Sequence, residues 1–389
     1  MKSERIINLL APLMVVQAVL ALRVILRLLR SAGGERIAAE EAAGGDDDGE
    51  RVSVIVPVLN ERHRLAPCLE GLIAQGAEVV EIVVVDGGSD DGTQQLVSIS
   101  AMRDPRVRLV ESGPIPANWN GKAWGLQVGL RSVDALSRWI LTVDADVRPG
   151  AILTRALLGR AARTGLAALS IATLQEIDTV GEGFLHPALL ATLVYRFGIP
   201  GKTFRRVSEV QANGQCFLFR REALEACGGF RAASASVCED VTMARTLVAG
   251  GYSVGFYEAA DLVSVKMYSD WRDTWRNWPR SLPMHDHFSG KNTLLGWLEV
   301  MLVQALPLPL CLALLVAGKR RGWLFRLNAL LVAVRLGILA GTVRAYRRPP
   351  WSYWLSPLCD MPVAIRLGRS ALQRRHVWRG RLLVRGGSQ

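Results

Sequence analysis

The sequence predicts an α/β fold built on a mainly parallel sheet and flanked by membrane helices. Three observations predict it. From residue 52 to 282, short β-branched runs alternate with helical patterns, the arrangement of strands joined by crossover helices. Two of those runs end in aspartates, as strands do at the carboxyl edge where open α/β sheets bind ligands. Long apolar stretches lie at both ends of the chain.

Composition agrees with membrane contact. Half of the 389 residues (50%) are hydrophobic, and the formal net charge is +12. A basic chain can meet nucleic acid or anionic lipid headgroups. Here the basic residues favour lipid, because Arg366 to Arg385 carries seven Arg and no acid beside apolar segments. No zinc-ligand spacing or aromatic nucleic-acid motif accompanies them, so no nucleic-acid partner is expected. The 6 Cys are scattered with no CxxC pair, which suits reduced thiols and a cytoplasmic catalytic domain.

The first element is an apolar core from Ile6 to Leu22, about 17 residues, at the short end for a spanning helix. Arg23, Arg27 and Arg30 follow it. The basic flank after the core and the lack of a small-residue cleavage site favour an anchor (1–30) over a cleaved signal, with the following domain in the cytoplasm. Residues 31–51 are rich in Gly, Ala and acids and read as a solvated linker, with Asp46–Asp48 as a solvated charge run. A catalytic domain is expected over 52–290. Its strands are Val52–Pro57, Val79–Val85, Val107–Val110 and Trp139–Val143, and its helices 61–75, 91–102, 121–135 and 150–163. A C-terminal membrane region and basic tail fill 291–389. Leu294–Ala317 and Trp323–Thr342 are each long enough to span. Their charges, Glu299, Arg326 and Arg335, should face a cavity or a partner helix. Residues 351–367, with three aromatics and two prolines, read as an interfacial or re-entrant piece. With two C-terminal spans, Lys319–Arg321 falls outside, against the positive-inside rule. Multi-pass residence in the cell membrane is expected.

Four segments carry chemistry. Asp144-Ala-Asp146 places two carboxylates one residue apart where a strand ends, so both can point to one place. Mg²⁺ or Mn²⁺ takes oxygen ligands from one or two carboxylates plus substrate phosphates, so this pair is the expected metal site. Asp86 ends the second strand and opens into Gly87-Gly88, a turn that lets a ligand approach backbone N–H groups. Pro57 to Glu61 closes the first strand, with Asn60 able to cap the next helix. Glu239-Asp240 opens a helical pattern, where acids also suit the helix dipole.

The ordered set over residues 52–282 resembles the family-2 glycosyltransferases, which have a GT-A nucleotide-sugar-binding fold with a mixed, mainly parallel sheet. The resemblance implies nucleotide contacts for Pro57, Asn60, Glu61, Asp86 and Asp144. Gly87 stands where the family pattern has a second Asp. Asn118 to Ala123 resembles a Trp-x-Gly-Lys segment, which sets Lys122 at a helix start against the diphosphate. Asp144-Ala-Asp146 is similar to the DxD metal motif. The resemblance makes Asp240 the catalytic base, with Glu239 in that role or orienting it, and lays Gly214 under sugar and acceptor. Arg276, Trp278 and Arg280 occur where processive members carry Gln/Arg-x-x-Arg-Trp, a partial match that points to diphosphate or acceptor contact. Trp378 to Arg381 resembles a tail segment of lipid-type relatives such as ceramide and carotenoid glycosyltransferases. The implied activity is inverting transfer of one sugar from a nucleotide-sugar, UDP being the commonest nucleotide among relatives, to a lipid-like hydroxyl. The rivals are a processive polysaccharide synthase and a non-catalytic membrane scaffold. A nicotinamide oxidoreductase is disfavoured, because its Gly-x-Gly-x-x-Gly turn is absent.

Overall fold

The computed structural model describes residues 2–43, 49–282, 290–373, 375–378 and 381–384. Asp46–Asp48, Arg379 and Gly380 lie outside them. The chain divides into two units, a helical one (1–33, 177–199, 268–373) and a sheet one (34–176, 200–267, 374–389). The catalytic domain expected as one run over 52–290 is thus interrupted by 177–199 and left at 267.

Up to residue 267, the strands of the sheet unit are β1 (Val52–Val58), β2 (Val79–Asp86), β3 (Val107–Glu111), β4 (Trp139–Val143), β5 (Val147–Pro149), β6 (Ala168–Ala172), β7 (Leu174–Glu176), β8 (Lys202–Phe204), β9 (Cys216–Arg220), β10 (Val254–Glu258) and β11 (Val263–Val265). Eight form one sheet in the order β3-β2-β1-β4-β9-β6-β10-β8. β1 runs parallel to both β2 and β4, while β9 is antiparallel to both β4 and β6. The sheet is therefore mixed and mainly parallel. Strands buried on both faces read as continuous apolar runs, and β1 shows why. Val54 and Val56 pack with Leu65, Leu69 and Leu157, while Ile55 between them packs with Leu126, Leu130 and Met243 on the other face.

Those partners come from four helices: α2 (Arg62–Ile73) and α5 (Leu153–Thr164) on one face, α4 (Gly121–Ser132) and α8 (Glu239–Ala249) on the other. α1 (Lys2–Ser31), α3 (Thr93–Arg103), α6 (Val180–Phe197) and α7 (Arg221–Ala226) complete the N-terminal half. A short sheet pairs β11 with β5 antiparallel and with β7 parallel.

The supposed solvated linker is folded from Gly34 to Ala43. Ile37 is buried, and its N–H donates to Glu258 O at 2.9 Å. Arg160, on α5, donates to both oxygens of Glu41 at 2.6 and 2.9 Å and pairs with Glu35. The acids of this segment are ion-pair partners, which composition alone cannot distinguish from a solvated run.

The helical unit holds α1, α6, α9 (Trp271–Ser281), α10 (Gly290–Glu299), α11 (Pro307–Val316), α12 (Trp323–Thr342) and α13 (Asp360–Leu372). Among the described residues, three stretches are long and apolar enough to cross a membrane: Pro12–Ser31, Asn292–Val316 and Trp323–Ala345. A π-helical segment, Val300–Ala305, joins α10 to α11. The arginines expected as a flank after the anchor lie within α1. Arg23 and Arg27 both reach Glu299 at 2.8 Å. Arg335 pairs with Asp360 at 2.8 Å, both side chains almost fully buried. Glu299 and Arg335 thus face partner helices, whereas Arg326 is exposed. Residues Trp351–Cys359 form a 3₁₀ segment leading into α13, with Trp351 and Trp354 exposed and Tyr353 buried.

Candidate active site

Two neighbouring loops at the ends of β1 and β2 hold each other. Asp86 is buried, and its carboxylate accepts from Gly88 N (3.0 Å), Ser89 N (3.0 Å), Ser89 Oγ (2.5 Å) and Gln94 Nε2 (2.7 Å). These bonds build the Gly-rich turn, where Gly88 sits at φ 91°. Asp86 therefore shapes the loop that a nucleotide would meet. Asn60, at φ 56°, does not cap α2. Its Oδ1 accepts from Asp90 N at 3.0 Å, and its N–H donates to Ser89 Oγ at 2.9 Å. The start of α2 is satisfied instead by Asp91, whose Oδ2 accepts from Arg62 N at 3.1 Å. Pro57 lies in β1 and pairs in register with Val85.

The Asp144–Asp146 turn joins β4 to β5. Asp144 N donates to Gln215 O at 2.9 Å, Val147 N to Asp144 O at 3.1 Å, and Lys266 N to Asp146 O at 3.4 Å. The backbone of the motif is thus fixed on three sides. Asp144 accepts Lys122 Nζ at 2.8 Å through Oδ1 and 3.0 Å through Oδ2. Asp146 Oδ1 is buried without a hydrogen-bond partner among the described residues. Burial, then Asp144, then Glu61, push its carboxyl up to about 7. Burial raises Asp144 as well, against the pull of Lys122.

Lys122 enters from the first turn of α4, whose N-terminus is fixed by Asn120 Oδ1 accepting from Ala123 N at 2.7 Å. Its ammonium also lies 2.6 Å from Glu239 Oε1. Burial works against the charge, and the two carboxylates outweigh it, holding the amine well above its ordinary range. The lysine expected against a diphosphate therefore bridges two of the expected site acids.

Glu239 and Asp240 occupy the first turn of α8. Asp240 accepts from Val241 N at 2.8 Å and from Gly214 N at 2.7 Å. Burial and then Glu239 lift its carboxyl to about 7, opposed by Lys122 and by those two N–H groups. A carboxylate near pH 7 is matched to general-base work. Gly214 is small for a visible reason. A Cβ there would meet Asp240 Cβ and Lys122 Nζ at 3.2 Å and Glu239 Oε1 at 3.3 Å.

Lys122, Asp144, Gly214, Glu239 and Asp240 thus converge, with Asp146 and Glu61 alongside. Among the described residues no group of three or more His, Cys, Asp or Glu encloses a metal. The donor set fits a divalent ion that takes the rest of its shell from substrate phosphates: Asp146 offers an unpartnered oxygen, and the acids outnumber the one lysine. Arg276, Trp278 and Arg280 stand on α9 in the helical unit. Arg276 is exposed. Trp278 is buried against His186, ring centroids 4.2 Å apart. The side chain of Arg280 lies outside the described part. Sequence reasoning set Gln215 within a segment, 211–216, that resembles the one under sugar and acceptor, but gave its side chain no role, and it missed Thr173 and the pairing of Lys122 with Glu239. Only that segment offered a signal.

Residues 53–228 match the model of glycosyl transferase family 2. They are a family-2 glycosyltransferase domain. Three relatives illustrate the breadth of this likeness. Polyprenol monophosphomannose synthase of Mycolicibacterium smegmatis is 37% identical over 30% of this chain and 49% of its own length. Succinoglycan biosynthesis protein ExoA of Rhizobium meliloti is 26% identical over 54% of this chain and 62% of its own. N-acetylglucosaminyl-diphospho-decaprenol L-rhamnosyltransferase of Mycobacterium tuberculosis is 26% identical over 56% of this chain and 78% of its own. The chain spans 49% and 62% of the first two, about half their length. Among solved structures, the mannosyltransferase PcManGT of Pyrobaculum calidifontis, in complex with GDP-Man and Mn²⁺, is 20% identical with a TM-score of 0.49. That match covers 90% of this chain and 98% of PcManGT. The transferase domain thus supplies the fold and the enzyme class.

Proposed function

We propose that this glycosyltransferase moves one sugar from a nucleotide-sugar, a UDP-hexose first among candidates, to a hydroxyl of a lipid-like acceptor at a membrane, with inversion. One observation carries the reading. A carboxylate poised near pH 7, Asp240, stands one lysine away from the Asp144–Asp146 turn and its unpartnered oxygen. Asp240 takes the proton of the acceptor hydroxyl as that oxygen attacks the anomeric carbon. The bond from that carbon to the leaving diphosphate breaks on the opposite face, so one displacement inverts the centre. Glu239 orients the base, and Lys122 meets the negative charge of the donor. Asp144 and Asp146 would hold Mg²⁺ or Mn²⁺, which would neutralise charge on the leaving diphosphate.

The lipid-like acceptor is supported by the three membrane-length helical stretches and by the relatives named for polyprenol and decaprenol compounds. The six free cysteines suit a cytoplasmic face for the domain and a multi-pass protein of the cell membrane. The test is incubation of purified protein with labelled UDP-glucose or GDP-mannose, Mn²⁺ and membrane extract. The expected product is organic-phase label in a lipid carrying one sugar of inverted configuration, lost in excess chelator. Label only in a water-soluble polymer would replace the reading with a processive synthase. Absence of both transfer and sugar-nucleotide hydrolysis would replace it with a scaffold.

A further inference from the structure

Between the two acidic arms of the site runs a short backbone segment, Asn213-Gly214-Gln215. Gly214 N donates to Asp240 at 2.7 Å, and Gln215 O accepts from Asp144 N at 2.9 Å. The segment is therefore tied both to the base and to the Asp144–Asp146 turn. Asn213 is tied down as well: its N–H donates to Ser170 Oγ at 2.7 Å, and that hydroxyl donates to Asn213 O at 2.9 Å.

The side chain of Gln215 is almost fully buried (4% exposed) and its orientation is fixed by its neighbours. Oε1 accepts from Thr173 Oγ1 at 2.6 Å and from Asn213 Nδ2 at 2.8 Å. Thr173 Oγ1 accepts from Gln175 Nε2 at 2.9 Å, so its single proton is free to point at Gln215. Asn213 cannot turn over without loss, because its Oδ1 accepts from Gln215 N at 3.2 Å. The donors run one way from Gln175 through Thr173 to Gln215. A flipped Gln215 amide would set its NH₂ against another amide NH₂. Nε2 is therefore assigned, and it is buried without a hydrogen-bond partner among the described residues.

A buried amide NH₂ with no acceptor is costly, and native structures supply one. Its acceptor is an oxygen that the described residues do not supply, a ligand's or a water's. The amide is neutral and belongs to a segment bonded to both the metal-side aspartate and the base, which brackets the place of a transferred sugar in the reading above. We propose that Gln215 is a specificity-determining residue whose Nε2 donates to a hydroxyl of the sugar carried by the donor nucleotide. Thr173 and Asn213 are its positioning residues. This inference rests on the glycosyltransferase reading.

The test separates sugar contact from nucleotide contact. Binding of UDP, UDP-glucose, GDP and GDP-mannose to full-length protein with Mn²⁺ is measured by calorimetry, for wild type and for Gln215→Leu. For a nucleotide-sugar that wild type binds, the variant should bind about 3- to 10-fold more weakly, the range of one neutral hydrogen bond. Its affinity for the matching diphosphate should not change, which also reports an intact fold. Thr173→Val, which releases the amide without removing it, should weaken the same ligand by a smaller factor. Unchanged nucleotide-sugar affinity in Gln215→Leu would overturn the inference and leave the amide to an internal water. If Gln215→Leu loses the diphosphate too, Thr173→Val decides: loss confined to the nucleotide-sugar supports the assignment, and equal loss on both ligands overturns it. If wild type binds none of the four, the proposed donor itself fails, and this inference with it.

Discussion

Carboxylates that are wholly or half buried occur in both units, and they are treated in opposite ways. In the helical unit, Glu299 receives Arg23 and Arg27, and Asp360 receives Arg335 through both oxygens. In the sheet unit, among the described residues, Asp144 and Glu239 share the ammonium of Lys122, Asp240 has only backbone N–H donors, and Asp146 keeps an oxygen with none. The difference follows role more than location, since Glu41 in the sheet unit is closed off by Arg160 and Arg163. An acid matched by guanidinium is finished as structure. Acids that outnumber their cations raise their own proton affinity and leave room for a proton, a metal or a substrate.

The comparison breaks most visibly at Asp240. Asp240→Asn keeps the shape and can still accept from Gly214 N, yet cannot take a proton. Turnover should fall by about 10²–10⁴ while nucleotide-sugar affinity and thermal unfolding change little. If Asp240→Asn is active and Glu239→Gln is dead, the base is Glu239.

Its counterpart is Asp360→Asn. Removing one member of a buried pair leaves the guanidinium uncompensated, at a cost of about 3–5 kcal/mol. The expected outcome is a large drop in thermal stability in detergent, with turnover per folded molecule unchanged. Lost turnover with stability intact would erase the distinction between structural and working acids.

How much of this was legible in the sequence differs between the same two groups. The four strand–helix pairs from β1 to α5 were readable within a few residues, because a strand buried on both faces must be a continuous apolar run. The site acids were readable because the chemistry needs them contiguous, as in Asp144-Ala-Asp146 and Glu239-Asp240. The structural acids were not. Glu41 and Arg160 are far apart in sequence, so nothing local distinguishes Glu41 from a solvated glutamate. Lys122 was seen as a phosphate ligand because its helix-start position was visible, whereas Glu239, its partner across the site, is brought near only by the packing of α4 and α8 on one face of the sheet. Gln215 was legible only as part of the segment 211–216; the meaning of its side chain lies in an unpaired atom, and pairing is a property of the folded chain.

The raised carboxyl of Asp240 also sets a pH dependence. With its proton released at about 7, turnover at saturating donor should fall about tenfold per unit below pH 7 and level off above it. The sign for stability is the reverse. A carboxyl raised above its unfolded value of 3.8 binds more protons when folded, so its ionisation lowers stability as pH rises from about 4 to about 7. A turnover limb that instead sits in the ordinary carboxylate range would mean that Asp240 is not the group taking the proton.

The finest test of the comparison is Lys122→Met. Among the described residues, the ammonium is the only side-chain cation paired with both Asp144 and Glu239, and it is among the influences holding Asp240 down. Its removal strengthens the field of Glu239 on Asp240, so Asp240 should hold its proton to higher pH. The acidic limb of turnover, measured at saturating donor to remove any loss of diphosphate contact, should move upward from about 7. Methionine keeps most of the buried stem, so the shift is not confounded by a cavity. A limb that stays in place while donor affinity falls would mean that Lys122 serves the diphosphate alone. A limb that moves down would mean that the lysine does not face Asp240 as a positive charge.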